Sequence, residues 1–521
     1  MTRTEQPSRG LVAAGHQVTA QVGAEVLRDG GNAVDAAVAA MLASFVAEPL
    51  LTGLGAGGYM LVAGAGEKPA LLDFFVAAPG QGREEGARAE LVPIDVSFGD
   101  AVQVFHVGPA SVGAYGAPAG VCAAVERWGS SPLADLAAPA AQLARQGVAL
   151  NAEQAYVAEI LTDLLASTPE CQALWAPDGR ILREGDVLVD AELGDALERL
   201  GRDGARPFYD GDIAAAVCDW LEARGGTLTR EDLSSYRAVE REPVRAIYRG
   251  RELLTNPPPS AGGILLAYAL ALLGRAPGPP PVERMVDVME AAQAERTPEF
   301  MEGLADSGFL GRFLGERLGT TTGRESSTPL GSATDPGSTT HLGSTTHISV
   351  LDADALACSV TCTNGEGSGI IVPGTGLHLN NIMGEQDLNP LGFHRHRPGI
   401  RMPSMMAPSV VLRDGEVELV LGSAGSNRIR SALLQTIVGV VDHGLDAEAA
   451  VRSPRLHFED GVVYAEPGVD VAPLEDAGRT VARFGRLNLF FGGVQAIQRD
   501  PDSGEASGAG DPRRGGVAVL A

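Results

Sequence analysis

Between Asn32 and Glu48, Val34, Val38, Leu42 and Phe45 recur every three or four positions among alanines. That spacing predicts an amphipathic helix with Asn32 as its N-cap. A glycine-rich stretch, Gly53 to Gly58, follows, and then an apolar run from Tyr59 to Ala63 that predicts a strand. From about Gly120 to Leu318 the pattern is mainly helical. It is punctuated at Asp210-Gly211 and at Asn256-Pro-Pro-Pro259, with short strands expected around Ala246–Tyr248 and Glu252–Leu254. Gly319 to Ser344 is dominated by Gly, Ser and Thr and reads as a mobile loop. Directly after it the period changes. Ile348–Leu351 and Ala357–Thr361 read as two strands joined across Asp352–Ala355. Further strands are expected at Ser409–Leu412, Val417–Leu421, Val462–Ala465 and Gly493–Ile497, with a helix from Asn427 to Val441. The C-terminal third is therefore mixed α/β, built mostly from antiparallel hairpins.

Composition narrows the classes of partner. The 521 residues carry 66 Asp+Glu against 40 Lys+Arg, a formal net charge of −26. Such an excess of acid repels phosphate backbones and anionic lipid surfaces, so neither nucleic acid nor a membrane is an expected partner. No apolar run approaches the roughly 18 residues of a membrane span. Met1 to Gly23 lacks a basic segment followed by an apolar one, so no signal peptide is expected and the expected location is cytoplasmic. Cys122, Cys171, Cys218, Cys358 and Cys362 have no zinc-type spacing, so no metal, cofactor or disulfide framework is expected. The length suits two to four average domains or one large layered α/β domain.

Gly53-x-Gly55-x-x-Gly58 matches a dinucleotide fingerprint letter for letter, but in the order helix, glycines, strand. A pyrophosphate needs strand, glycines, helix, so close backbone packing is the better reading. His394 and His396 lack a third ligand and read as a solvated loop. His378, between Leu377 and Leu379, reads as a satisfied strand residue. The strongest chemical candidate lies where the Gly/Ser/Thr loop runs into a strand, at Ser344-Thr345-Thr346. A threonine there suits an N-terminal nucleophile: a bond is cut just before it, and the freed α-amino group serves as base for its hydroxyl. Gly-Ser-Thr-Thr-His occurs at 337–341 and again at 343–347. Only Thr345, not Thr339, leads straight into a strand.

Five blocks, in order, carry a family resemblance: Gly30-Gly-Asn-Ala-Val-Asp-Ala-Ala37 through Glu48-Pro49 to Gly57-Gly58; Asn256 to Gly263; Thr345-Thr-His-Ile-Ser-Val350; Pro373 to Asn381; and Gly422 to Ile429. Across about residues 10 to 518 the chain resembles the γ-glutamyltransferase (γ-glutamyltranspeptidase) family. The resemblance implies a four-layer αββα sandwich of the N-terminal-nucleophile hydrolase type. It implies cleavage between Ser344 and Thr345 into a large piece, 1–344, and a small piece, 345–521, that together form one αββα domain. It also leaves open a homodimer of the processed pair. By the same resemblance Thr345 attacks a γ-amide carbonyl of a small molecule, Thr363, 18 residues on, orients it, and the N–H groups of Gly425 and Ser426 form the oxyanion hole.

The match weakens where relatives hold a glutamyl group. Phe75 stands in place of the Arg that takes the α-carboxylate, and Ser404-Met405 in place of a Ser-Ser pair. On the amine side, Asn364, Ile382 and Glu385 stand for Asn, Gln and Asp. Arg397, Arg401 and Arg428 are candidates to replace the missing Arg. Three readings follow. One is an autoprocessed amidohydrolase or acyltransferase acting on γ-glutamyl-like amides. Another is a specialised biosynthetic hydrolase, such as one of antibiotic biosynthesis, in which the same threonine cleaves a C–C bond next to a carbonyl in a less charged pocket. The third is a non-catalytic homologue.

Overall fold

The computed structural model describes residues 8–83, 90–97, 102–306, 308–319 and 344–521. The Gly/Ser/Thr stretch between Gly319 and Ser344, with the first Gly-Ser-Thr-Thr-His and Thr339, lies outside the described residues. Two antiparallel sheets stack face to face. The first has seven strands in the order Val517–Leu520, Gly10–Ala14, Thr346–Asp352, Leu356–Thr363, Gly57–Gly64, Glu67–Phe74 and Val239–Arg241. The second has six: Ala506–Gly510, Gly493–Arg499, Glu416–Ala424, Ser409–Arg413, Arg251–Thr255 and Val244–Tyr248.

Strand alternation makes the layers. Along Gly57–Gly64, Tyr59, Leu61 and Ala63 join the apolar cluster shared with the second sheet, while Met60 and Val62 join the cluster under the helices. Helices Gln17–Arg28 and Ala33–Ala47 cover the outer face of the first sheet. Gly262–Gly274 and Arg428–Val441 cover the second. The result is the expected αββα sandwich. The predicted strands at 348–351, 357–361, 409–412, 417–421, 462–465 and 493–497 are present, as is the helix at 427–441, with Asn427 at its N-cap.

One expectation needs correcting. Asn32 caps the first long helix as predicted, accepting from the N–H groups of Val34 and Asp35, but the helix is not amphipathic: every residue from Ala33 to Ala47 is buried. Its alanines let Gln17–Arg28, Ala117–Trp128 and Leu133–Gln146 close over the side that periodicity assigned to solvent. The glycine run after it does serve close packing. A Cβ on Gly58 would lie 2.3 Å from the Thr361 carbonyl oxygen, and one on Gly55 2.4 Å from that of His378.

Polar side chains lace the two sheets together beneath the candidate nucleophile. His347 bonds Thr361 Oγ1 through Nδ1 (2.7 Å) and Ser349 Oγ through Nε2 (3.0 Å). Ser349 donates to the carbonyl of Gln495 and Ser359 to that of Leu421, both at 3.0 Å and both on the opposite sheet. Burial holds the His347 imidazole down at about 3, so it is neutral at physiological pH. The ring lies against Gly422, where a Cβ would sit 2.1 Å from Cε1. Gly422→Ala is therefore expected to cost at least about 2 kcal/mol in urea unfolding. The double variant with His347→Ala should recover part of that loss; equal loss in both would place the strain elsewhere.

Candidate active site

Thr345 immediately precedes the central strand Thr346–Asp352, which pairs with Gly10–Ala14 on one edge and Leu356–Thr363 on the other. The register sets Thr346 opposite Cys362 and Thr363 opposite Gly57, so Thr345 and Thr363 meet at one end of the sheet. Thr345 is 5% exposed. The Thr363 hydroxyl donates to the carbonyl oxygen of Ser344 and accepts from the N–H of Gly365 (2.9 Å). The Ser344–Thr345 peptide thus has its carbonyl polarised by a side chain that is itself fixed by backbone.

Gly425 and Ser426 form the turn between strand Glu416–Ala424 and helix Arg428–Val441. Gly425 has φ +118° and Ser426 φ +51°. The second value costs an L residue about 1 kcal/mol, and the Ser426 hydroxyl offsets it by donating to Asp387 Oδ2 at 2.7 Å. No hydrogen bond from either amide N–H is found among the described residues. Two unengaged N–H groups at a helix N-terminus suit a developing oxyanion.

Three charged groups near the threonines gave no functional signal in the sequence. Glu48, inside a motif but without an assigned role, is fully buried. It accepts from Thr346 Oγ1 (2.7 Å) and Thr19 Oγ1 (2.8 Å). Burial raises its carboxyl to about 6, against the pull of these two hydroxyls and of the Arg514 charge. Arg514 crosses Gly493 and brings Nη2 to 3.6 Å from the Cβ position of Gly425. Glu366, between Thr363 and Asn381, is raised by burial and hydrogen-bonds the Glu385 carboxyl and the Asn381 amide. Nothing in the composition or spacing distinguishes these three from surface charges; only the fold brings them to Thr345.

The proposed substrate residues divide into two groups. Asn364 and Glu385 lie beside the threonines. The N–H of Asn381 donates to the Asn364 carbonyl (3.0 Å), and the buried Asn364 Oδ1 has no hydrogen-bond partner among the described residues. Phe75 and Met405, with Ile382, are 0%, 2% and 0% exposed and belong to the cluster between the sheets; Phe75 stacks on Tyr59 at 5.5 Å. Ser404 turns its hydroxyl to the N–H of Met406 (3.0 Å).

The candidate replacement arginines differ in what they contact. Arg401 donates to the carbonyls of Phe75 and Arg237, both at 2.7 Å, and pairs with Asp73 at 3.2 Å. Arg428 is buried against the Phe490 ring and donates Nε to the Phe490 carbonyl, while its Nη1 and Nη2 have no hydrogen-bond partner among the described residues. Arg397 is exposed. His378 does lie in a strand, but its Nε2 has no hydrogen-bond partner among the described residues. His394 is exposed, as expected. No group of three or more metal-ligating side chains occurs among the described residues, and none of their helices is long and apolar enough to cross a membrane.

The sandwich, with a threonine at the head of a central strand, is the architecture of N-terminal-nucleophile hydrolases. The sequence profile of the gamma-glutamyltranspeptidase family matches residues 19–521. The glutathione hydrolase proenzyme of Escherichia coli (strain K12) is 31% identical, over 97% of this chain and 90% of the relative. The acylase ACY 1 proenzyme of Pseudomonas sp. (strain SE83) is 32% identical, over 98% and 93%. The crystal structure of cephalosporin acylase from Bacillus halodurans superposes with a TM-score of 0.81 at 26% identity, covering 100% and 99% of the two chains. The chain belongs to the gamma-glutamyltranspeptidase family and is an enzyme.

Glu48 supplies a test of this environment. Its carboxyl binds a proton more tightly in the fold than in the unfolded chain. Its stabilisation is therefore complete below about pH 4.5 and is lost as pH rises through about 6. Between those limits the group is expected to withdraw about 2 kcal/mol. Urea midpoints measured across that window should fall less with rising pH in Glu48→Gln than in the parent. Identical slopes would show that the Glu48 carboxyl binds its proton equally well folded and unfolded.

Proposed function

We propose that this protein is an autoprocessing amidohydrolase or acyltransferase whose nucleophile is Thr345. The observation that carries the reading is the Ser344 carbonyl held by the Thr363 hydroxyl at the head of the central strand. In the first reaction Thr345 Oγ attacks the Ser344 carbonyl carbon, and negative charge develops on that oxygen. The C–N bond breaks, the hydroxyl proton passes to the nitrogen, and water hydrolyses the resulting ester. This leaves a Ser344 carboxylate and a free Thr345 α-amine. That amine then serves as base for the same hydroxyl in each turnover. The substrate amide is attacked, its amine departs with the proton, and water or an acceptor amine releases the acyl group. The N–H groups of Gly425 and Ser426 stabilise the oxyanion of both half-reactions. The proenzyme names of two relatives support the processing step.

The large piece, 1–344, and the small piece, 345–521, would remain one domain. Their strands alternate in the first sheet, where Gly10–Ala14 from the large piece lies between Val517–Leu520 and Thr346–Asp352 from the small one. Separation would expose ladders and core on both. A second reading, a specialised biosynthetic hydrolase of altered specificity, is favoured by the buried Phe75, Ile382 and Met405 and by the committed Arg401.

Intact mass tests the nucleophile. The parent should resolve into pieces of 344 and 177 residues that co-elute under native conditions, and Thr345→Ala should remain one chain of about 54 kDa. Thr363→Ala should slow processing by roughly 100- to 1,000-fold, the range for losing a polarising donor. Cleavage elsewhere, or undiminished cleavage in Thr345→Ala, would rule the mechanism out.

A further inference from the structure

The Gly425-Ser426 turn continues a strand of the second sheet, whereas Thr345 heads a strand of the first. A short segment from Asn381 to Asn389 links the two. It holds two 3-10 turns, Ile382–Gly384 and Gln386–Leu388. Its first end is tied beside the threonines: the Asn381 N–H donates to the carbonyl of Asn364, the neighbour of Thr363, at 3.0 Å. Asn389 closes the segment on itself, its Nδ2 donating to the carbonyls of Ile382 (3.1 Å) and Glu385 (2.7 Å).

The far end of the segment holds the turn. Asp387 Oδ2 accepts from Ser426 Oγ at 2.7 Å and from Asn427 Nδ2 at 3.2 Å. Buried Arg296 bridges the same two elements, donating Nη1 to Asn427 Oδ1 (3.0 Å) and Nη2 to the Asp387 carbonyl (3.2 Å). Asn427 is fixed further by donating to Glu459 Oε1 at 2.8 Å. Ser426 is the residue with most to lose. Its φ of +51° is a region that glycine enters freely and serine does not. Without an acceptor for its hydroxyl, Ser426 would relax towards negative φ. The rigid peptide plane between Gly425 and Ser426 would turn, and the Ser426 N–H with it.

Resting on the Thr345 reading, we infer that Asp387 is a positioning residue of the oxyanion site: through the Ser426 hydroxyl it keeps the Ser426 N–H aimed at the acyl oxygen as that oxygen becomes negative. The segment from Asn381 to Asn389 then sets the separation between this N–H and the threonines. Asp387 acts through its acceptor oxygen rather than through its charge, so an amide in its place would serve.

The test uses the processed full-length enzyme and p-nitrophenyl acetate, a small activated ester that asks little of a specific pocket. Thr345 Oγ bonds the acetyl carbon, its proton passes to the α-amine, and p-nitrophenolate leaves. Release of p-nitrophenolate and the mass of the small piece report the rate. Asp387→Ala should slow acetylation about 10- to 100-fold, the range for one hydrogen bond to a charged group, and Asp387→Asn should recover most of the rate. Ser426→Ala, which keeps the Cβ and drops the hydroxyl, should lose a similar factor. Adding Asp387→Ala to it should cost less than about threefold more, because both changes remove one interaction. Glycine takes the left-handed conformation unaided, so in a Ser426→Gly background Asp387→Ala should also cost less than about threefold. If Asp387→Ala fails to fold or process, the two Ser426 variants decide: Ser426→Gly should outpace Ser426→Ala by about tenfold. A merely structural Asp387 would lower the urea midpoint and cost the same factor in every background. Equal losses in all backgrounds, full rate in Asp387→Ala, equal rates in the two Ser426 variants, or a processed parent whose small piece gains no acetyl group would each overturn the inference while the processing site stands. A chain whose intact mass shows no cleavage overturns the Thr345 reading as well.

Discussion

The structure depends on a strand paired along both edges. Thr346–Asp352 is locked between Gly10–Ala14 and Leu356–Thr363, and its polar side chains reach the opposite sheet at Gln495. A residue at the head of such a strand has little freedom. That rigidity matters for a nucleophile, because the reacting atoms must meet within a few tenths of an ångström of their productive separation. The register then aligns Thr363, and the carbonyl of Ser344 falls on its hydroxyl.

Stacking the second sheet supplies the other half of the site. His347 rests in the space left by Gly422, and three residues further on the same strand ends in the Gly425-Ser426 turn. The turn holds a residue in the left-handed region, and its cost is carried by a single hydrogen bond to Asp387. Strained backbone of this kind persists where the surroundings over-determine it, and here the surroundings are a strand, a helix and a buried carboxylate.

Buried charge surrounds the site. Glu48, Glu366, Arg428 and Arg514 are removed from water yet lie close to groups of opposite sign. Each would be costly alone. Together they fix the electrostatic background against which a threonine hydroxyl and a free amine would exchange a proton. Arg401, beside Phe75, is spent on two backbone carbonyls and Asp73.

Much of the fold was legible in local pattern. Period-two runs at 348–351, 357–361, 409–412 and 417–421, and the capped helix after Asn32, are set by neighbours within a few residues, and the structure contains them all. The roles expected of Thr363, Gly425 and Ser426 came from the resemblance to a family and not from local pattern, which singled out only the threonine where the Gly/Ser/Thr stretch runs into a strand. Other features were decided only by tertiary structure. The helix Ala33–Ala47 is buried on every side because three helices and the first sheet close over its alanines, which no single-helix periodicity can report. Arg401 and Arg428 were equal candidates in sequence, and long-range packing alone committed each to a different carbonyl. Glu48, Arg514 and the cavity beside Ser344 join segments hundreds of positions apart. Their proximity is a property of the stacked sheets, because burial and charge act through space rather than along the chain.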